Sequence, residues 1–181
     1  MTIFNNLANN SSNLSFIAED GRKLTYNNLL VDADYFSEKI KERSLIFIIT
    51  RNNYDCIVGY VGAIRANAVV VLIDNSIHES LFNDLIVRFK PSLVYKPQII
   101  FSHKNDWKQS LRIGEYGLFE TNIEINYEIN KDLSLLLMTS GSTGSPEFVR
   151  LSYLNIYSNT KVICDYLNIN NNDVAITTLP M

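Results

Sequence analysis

Two runs, Leu45-Ile46-Phe47-Ile48-Ile49 and Val69-Val70-Val71-Leu72-Ile73, constrain the fold more than any other feature of this chain. Strand side chains alternate between two faces, so a strand with no polar face must be covered on both sides. Residues 53 to 66, between the runs, have the length and pattern of a crossover helix, and Asn67 tolerates the left-handed backbone a helix end requires. Strand, helix and strand in that order make parallel neighbours with helices packed over the sheet. The pattern continues with a helix from Glu79 to Phe89, a break at Pro91 and a third strand at Leu93-Val94-Tyr95.

Upstream, Ser15 to Ala18, the turn signal Asp20-Gly21 and Lys23 to Tyr26 read as a short hairpin. Thr25 is a natural N-cap for a helix running to about Arg43, with Leu29, Ala33, Phe36 and Ile40 at helical spacing. The fold class is therefore α/β, a Rossmann-like mixed, mainly parallel sheet covered by helices. With 181 residues, 46% of them hydrophobic, the chain can bury a real core, at the upper end of one ordinary domain or a closely packed pair.

Downstream, periodicity fades between Lys96 and Asp132, where only Ile99 to Phe101 and Gly117 to Glu120 look strand-like, and the segment 96–132 is expected to be irregular. Order returns with a hairpin over 133–154, whose arms are Ser134 to Thr139 and Phe148 to Leu151. A helix from about Asn155 to Leu167 and a strand from Val174 to Leu179 are expected next. Pro180-Met181 follows that last apolar run directly, so the sequence is expected to continue beyond 181 in the intact protein.

Charge and composition narrow the partners. Sixteen basic and 19 acidic residues give a net charge of -3, with no long run of either sign, which argues against nucleic acid and against a polybasic membrane anchor. No secretory signal opens the chain and no apolar run approaches a membrane span, so a cytoplasmic setting is expected. Cys56 and Cys164 fall in helical segments without metal-like spacing and read as buried reduced thiols. His78 and His103 have no evident partner and read as solvated. No metal ligand set is expected.

Chemistry concentrates in Thr139-Ser140-Gly141-Ser142-Thr143-Gly144, a small-residue tract at the end of an apolar strand. Backbone amides turned toward one point, with hydroxyls beside them, form a concave anion site, and glycine permits the close approach a phosphate needs. A plain polar hairpin turn has the same composition. The P-loop of nucleotide triphosphatases is excluded, since Gly141 and Gly144 are too close and no lysine follows, and Gly-x-Gly-x-x-Gly does not occur.

The tract resembles the phosphate loop of the AMP-forming acyl- and aminoacyl-adenylate synthetases, the superfamily of acyl-CoA ligases, peptide-synthetase adenylation domains and luciferases. That pattern is roughly Thr-Ser-Gly-Ser/Thr-Thr-Gly-x-Pro-Lys-Gly-Val, and Thr139 to Pro146 matches it throughout. "LTYNNLLVDADYFSEKI" is similar to the early Leu-Thr-Tyr-x-x-Leu helix. "RNNYDCIVGYVGAIRANAVVVLID" is similar to the Asn-x-x-Glu helix and the strand after it. "LSYLNI" stands for the usual Thr-His-x-Asn-Leu, and "TTLPM" marks where the Pro-Met-Phe-His segment begins.

The resemblance implies the first subdomain of an adenylate-forming N-terminal domain. It implies a tract that wraps the β- and γ-phosphates of ATP while a carboxylate attacks the α-phosphate, leaving an acyl-adenylate and pyrophosphate. Ser140, Ser142 and Thr143 would give hydroxyl contacts, Gly141 and Gly144 amides. Mg2+ would sit on the phosphates, held partly by a residue beyond Met181. Implied partners are a small carboxylate (a fatty, aryl or amino acid), coenzyme A or a carrier protein, and the missing C-terminal part of the same enzyme, which carries the adenine-binding, ribose-binding and catalytic-lysine elements. No catalytic residue is assigned within the chain. The isolated chain is expected to be inactive, the intact protein an acid-thiol or acid-amine ligase. The alternative is a non-catalytic degenerate relative or α/β interaction module.

Departures from the pattern are specific. Glu147 stands where lysine is usual and Phe148 where glycine is usual, while alternation puts Arg150 on the face opposite Glu147. Asn67 and Leu72 replace Gly and Pro. Tyr153 replaces His and could line a substrate pocket or simply pack.

Overall fold

The computed structural model describes residue 4 and residues 6–101, 106–139 and 146–177. A short 3-10 turn, Leu7–Asn10, precedes an antiparallel hairpin of β1 (Leu14–Ile17) and β2 (Lys23–Thr25). Thr25 then caps α1 (Tyr26–Ser37), its hydroxyl accepting from the Asn28 amide while the Asn28 side chain accepts from Thr25 N–H.

The main sheet has seven strands in the order β6-β7-β5-β3-β4-β8-β9. Its parallel part is built from β3 (Leu45–Thr50), β4 (Val69–Asp74), β5 (Leu93–Pro97) and β8 (Leu133–Thr139). All six residues of β3 are buried, as its unbroken apolar run requires. The crossovers α2 (Tyr54–Arg65) and α3 (Glu79–Phe89) cover opposite faces. Ile46, Ile48, Val70 and Leu135 pack with Phe36 of α1 and with Val58, Val61 and Ile64 of α2. Phe47, Ile49, Val71 and Leu136 pack with Phe82, Leu85 and Ile86 of α3. Asn67, at φ 57, ends the α2 segment in the left-handed region as expected.

Four expectations need correction. First, α1 stops at Ser37, well before Arg43. The Lys39 and Ile40 amides reach back only three residues, to Phe36 and Ser37 carbonyls, and this tighter turn buries Ile40 before Arg43 takes φ 60.

Second, the segment 96–132 is not irregular throughout: β6 (Lys108–Ile113) and β7 (Tyr116–Glu120) form an antiparallel hairpin, and β7 pairs antiparallel with β5. β7 is mostly buried, whereas β6 is the sheet edge with Lys108, Gln109 and Arg112 exposed, so the polar content of β6 hid its strand character. The turn between them needs Gly114 at φ 52, where a Cβ would strike the Asp55 carboxylate.

Third, residues 174–177 have no regular structure and Val174 and Ile176 are exposed, since no described strand lies beside them; the rest of that expected strand lies outside the described residues. Finally, Cys164 is only partly buried, unlike Cys56.

The hairpin at the far side closes with β9 (Glu147–Ser152) antiparallel to β8, and Ser152 caps α4 (Tyr153–Leu167) through a reciprocal pair with Asn155.

Candidate functional site

Ligands of open α/β sheets bind beyond the carboxyl ends of parallel strands, where successive connections leave for opposite faces. Here that point lies between β3 and β4, because β3 runs into α2 on one face and β4 into α3 on the other. Thr50 and Asp74 end these two strands in register. The Thr50 hydroxyl donates to the Ile73 carbonyl at 3.2 Å, and the Asp74 carboxylate accepts from the Ser76 amide at 2.7 Å and from the Ser76 hydroxyl, which turns the chain toward α3. Asn53 caps α2 by accepting from Cys56 N–H at 3.0 Å.

β8 lies next to β4, with Leu137 beside Leu72, and runs two residues further to Thr139. Thr139 is therefore delivered to the carboxyl edge, exposed, with its hydroxyl donating to the Glu147 carbonyl at 3.3 Å. Ser140, Gly141, Ser142, Thr143 and Gly144 lie outside the described residues.

The flanking residues divide by face. Glu147 pairs directly with Thr139 across the hairpin, so its side chain leaves the sheet on the same face as Thr139. Phe148 points the other way and meets Phe89 of α3 edge-on at 4.7 Å between ring centres, so the bulk at this position is structural. Arg150 shares the face of Phe148, as alternation predicted, and pairs with Leu136. With Asn130, Asp132 and Asn155 it lines an open depression of about 270 Å³ at the far end of β8 from Thr139. Arg150 therefore does not offset the Glu147 charge.

The Tyr153 hydroxyl donates to the Ile64 carbonyl at 3.0 Å, and burial raises its pKa, which assigns this side chain to packing α4 against α2. His78 is an exposed N-cap of α3, and His103 lies outside the described residues. Among the described residues no group of three or more His, Cys, Asp or Glu could hold a metal ion, and no helix is long and apolar enough to cross a membrane.

Two polar groups escaped the sequence reading. Lys96, in β5, is fully buried; its ammonium donates to the carbonyls of Ile100 at 2.5 Å and Phe101 at 3.3 Å, lies 5.0 Å from the centre of the Phe119 ring, and burial lowers its pKa to about 8. Asp55, in the first turn of α2, accepts from Glu115 N–H at 2.9 Å, yet burial raises its pKa. The signal for Lys96 was a lysine directly following Leu93-Val94-Tyr95.

The strand order and the opposed crossovers define an α/β domain that delivers Thr139 to the carboxyl edge of its sheet. The chain belongs to the AMP-binding enzyme family, whose model matches residues 4–181. Its fold is that of the N-terminal domain of adenylate-forming enzymes.

Among curated proteins it resembles the hybrid PKS-NRPS synthetase pynA of Aspergillus niger, 22% identical over 184 residues covering 94% of this chain and 5% of that protein. Apo MatB from Rhodopseudomonas palustris superposes with a TM-score of 0.73 at 17% identity, over 99% of this chain and 40% of that one. O-succinylbenzoate coenzyme A synthetase (MenE) from Bacillus subtilis, in complex with AMP, gives 0.73 at 16% identity, over 97% and 49%. This chain thus spans less than half the length of each of these relatives.

Proposed function

We propose that the chain is the N-terminal portion of an ATP-dependent ligase that adenylates a carboxylic acid, forming acyl-AMP and pyrophosphate. The observation that carries the proposal is Thr139, the first residue of a family-type tract, presented at the carboxyl edge beside the β3–β4 crevice in a chain of the AMP-binding family. Hydroxyls and amides from Thr139 to Gly144 suit a polyphosphate in donor chemistry. Ser140, Ser142 and Thr143 are assigned as hydroxyl donors and Gly141 and Gly144 as amide donors. Thr139 anchors the hairpin through Glu147. Mg2+, when bound with ATP, neutralises phosphate charge; this chain supplies the donors that orient the polyphosphate.

The acid is a small carboxylate and the acceptor coenzyme A or a carrier protein. A carrier-linked acceptor is the reading suggested by likeness to a PKS-NRPS synthetase. The polypeptide of the complete gene should catalyse carboxylate-dependent exchange of labelled pyrophosphate into ATP, and residues 1–181 alone should not. Failure across fatty, aryl and amino acids would refute the reading.

A second reading, a non-catalytic relative kept for protein contacts, draws on Glu147, whose carboxylate stands beside Thr139 where the family pattern has a cation. Nucleotide binding by the complete polypeptide, measured calorimetrically, separates the two: the ligase binds ATP and the interaction module does not.

A further inference from the structure

Neighbouring strands in register carry paired side chains to the same face, so a sheet sets its residues in rows. One such row crosses four strands at the carboxyl edge. Thr50 of β3 pairs with Asp74 of β4. Two residues beyond the Leu72 and Leu137 pair, Asp74 and Thr139 stand side by side, and Thr139 in turn faces Glu147 of β9. Ile48, Leu72 and Leu137, two residues back along their strands, all pack on the α2 side, so the row leaves the sheet on that face.

A carboxylate therefore flanks Thr139 on each side: Asp74, half-buried and tied to the Ser76 amide, and Glu147, exposed. Cations from nearby strand ends are directed elsewhere. Arg51, directly after Thr50, has its guanidinium 3.9 Å from the Glu115 carboxylate at the β6–β7 turn. Lys96 of β5 donates to Ile100 and Phe101, and Arg150 lines the depression at the other end of β8. A polyphosphate brought to Thr139 meets like charge. Repulsion from a fixed carboxylate grows with the charge on the tail, so it bears most on nucleotide free of metal and least on nucleotide whose phosphates carry a divalent cation. A lysine in the same place has the opposite preference.

We propose, resting on the adenylating ligase above, that Glu147 is a specificity-determining residue: it makes the tract from Thr139 to Gly144 accept ATP as its divalent-metal complex and disfavour the free tetra-anion. Two charges removed from a tail about 6 Å away are worth about tenfold in affinity even at the dielectric of water. Metal contacts made elsewhere in the polypeptide are common to every variant of residue 147 and cancel from the comparison.

Calorimetry on the polypeptide of the complete gene, at low ionic strength, compares ATP affinity in saturating Mg2+ with that in chelator. The ratio of the two should fall about tenfold from wild type to Glu147→Gln, and about tenfold again in Glu147→Lys. Free ATP bound by Glu147→Lys and below detection with wild type is the same result. Glu38→Lys makes an equal change in net charge at the exposed C-cap of α1, where the chain heads toward the start of β3, and should leave the wild-type ratio. Equal ratios in wild type, Glu147→Gln and Glu147→Lys overturn the proposal while leaving the ligase reading in place, as does a ratio that moves as far in Glu38→Lys. A wild-type polypeptide that binds ATP in neither condition overturns both.

Discussion

Lys96 should make this protein gain stability as the solution becomes alkaline. Its ammonium is buried among Ile100, Phe101 and Phe119, and burial lowers its pKa from 10.5 to about 8. Below pH 8 both folded and unfolded chains hold the proton, and the folded state carries the whole desolvation penalty. Between about 8 and 10.5 the unfolded chain binds more protons than the folded one, so stability rises with pH. The full gap is about 3 kcal/mol, of which about 2 kcal/mol accrues between pH 7.5 and 9.5. Buried tyrosines act with the opposite sign at higher pH. Desolvation raises the pKa of Tyr54, Tyr95 and Tyr116, so the folded state holds protons the unfolded chain releases, and stability falls above about pH 10. Urea unfolding of the wild type and of Lys96→Met across this range is the assay. The wild type should gain about 2 kcal/mol relative to the variant from pH 7.5 to 9.5. Parallel pH profiles for the two proteins would refute the reasoning.

Three further perturbations test the packing and the site. Gly59→Ala would place a Cβ 2.2 Å from the ring of Tyr95, which Phe36 and Tyr116 hold on its other sides. Thermal melting should therefore drop by several degrees, for a loss of about 1–3 kcal/mol. Asn53→Ala removes the cap of α2 and should cost about 1 kcal/mol in denaturant unfolding. Glu147→Lys replaces repulsion with attraction next to Thr139. For a charge about 6 Å from a phosphate the change is about 1–6 kcal/mol, so ATP should bind about tenfold tighter or more by calorimetry; unchanged affinity would mean the side chain turns away from the nucleotide.

The parts of the fold that could be read in the sequence are those where one interaction dominates. Residues 45–49 and 69–73 are apolar throughout because both faces are covered, and Glu79–Phe89 is bounded by Lys90, at φ 48, and Pro91. The hidden parts depend on tertiary partners. Lys108–Ile113 is a strand because Tyr116–Glu120 pairs with it, not because its residues favour one. In α1 the apolar spacing runs on to Ile40, but the backbone tightens after Ser37 to bury that side chain. At the site, Thr139 and its flank were legible because residue types and order define the tract. The facing of Glu147 toward Thr139 came only from hairpin register, and the burial of Lys96 only from the neighbours that β7 and residues 100–101 bring to it.

The central claim is that residues 139–144 hold the polyphosphate of ATP. A photoreactive group attached at the γ-phosphate, activated on the polypeptide of the complete gene and mapped by peptide mass spectrometry, tests it directly. The account predicts crosslinks within the peptide spanning Thr139 to Glu147, suppressed by excess ATP. Crosslinks confined to other segments, or labelling that ATP does not suppress, would contradict it.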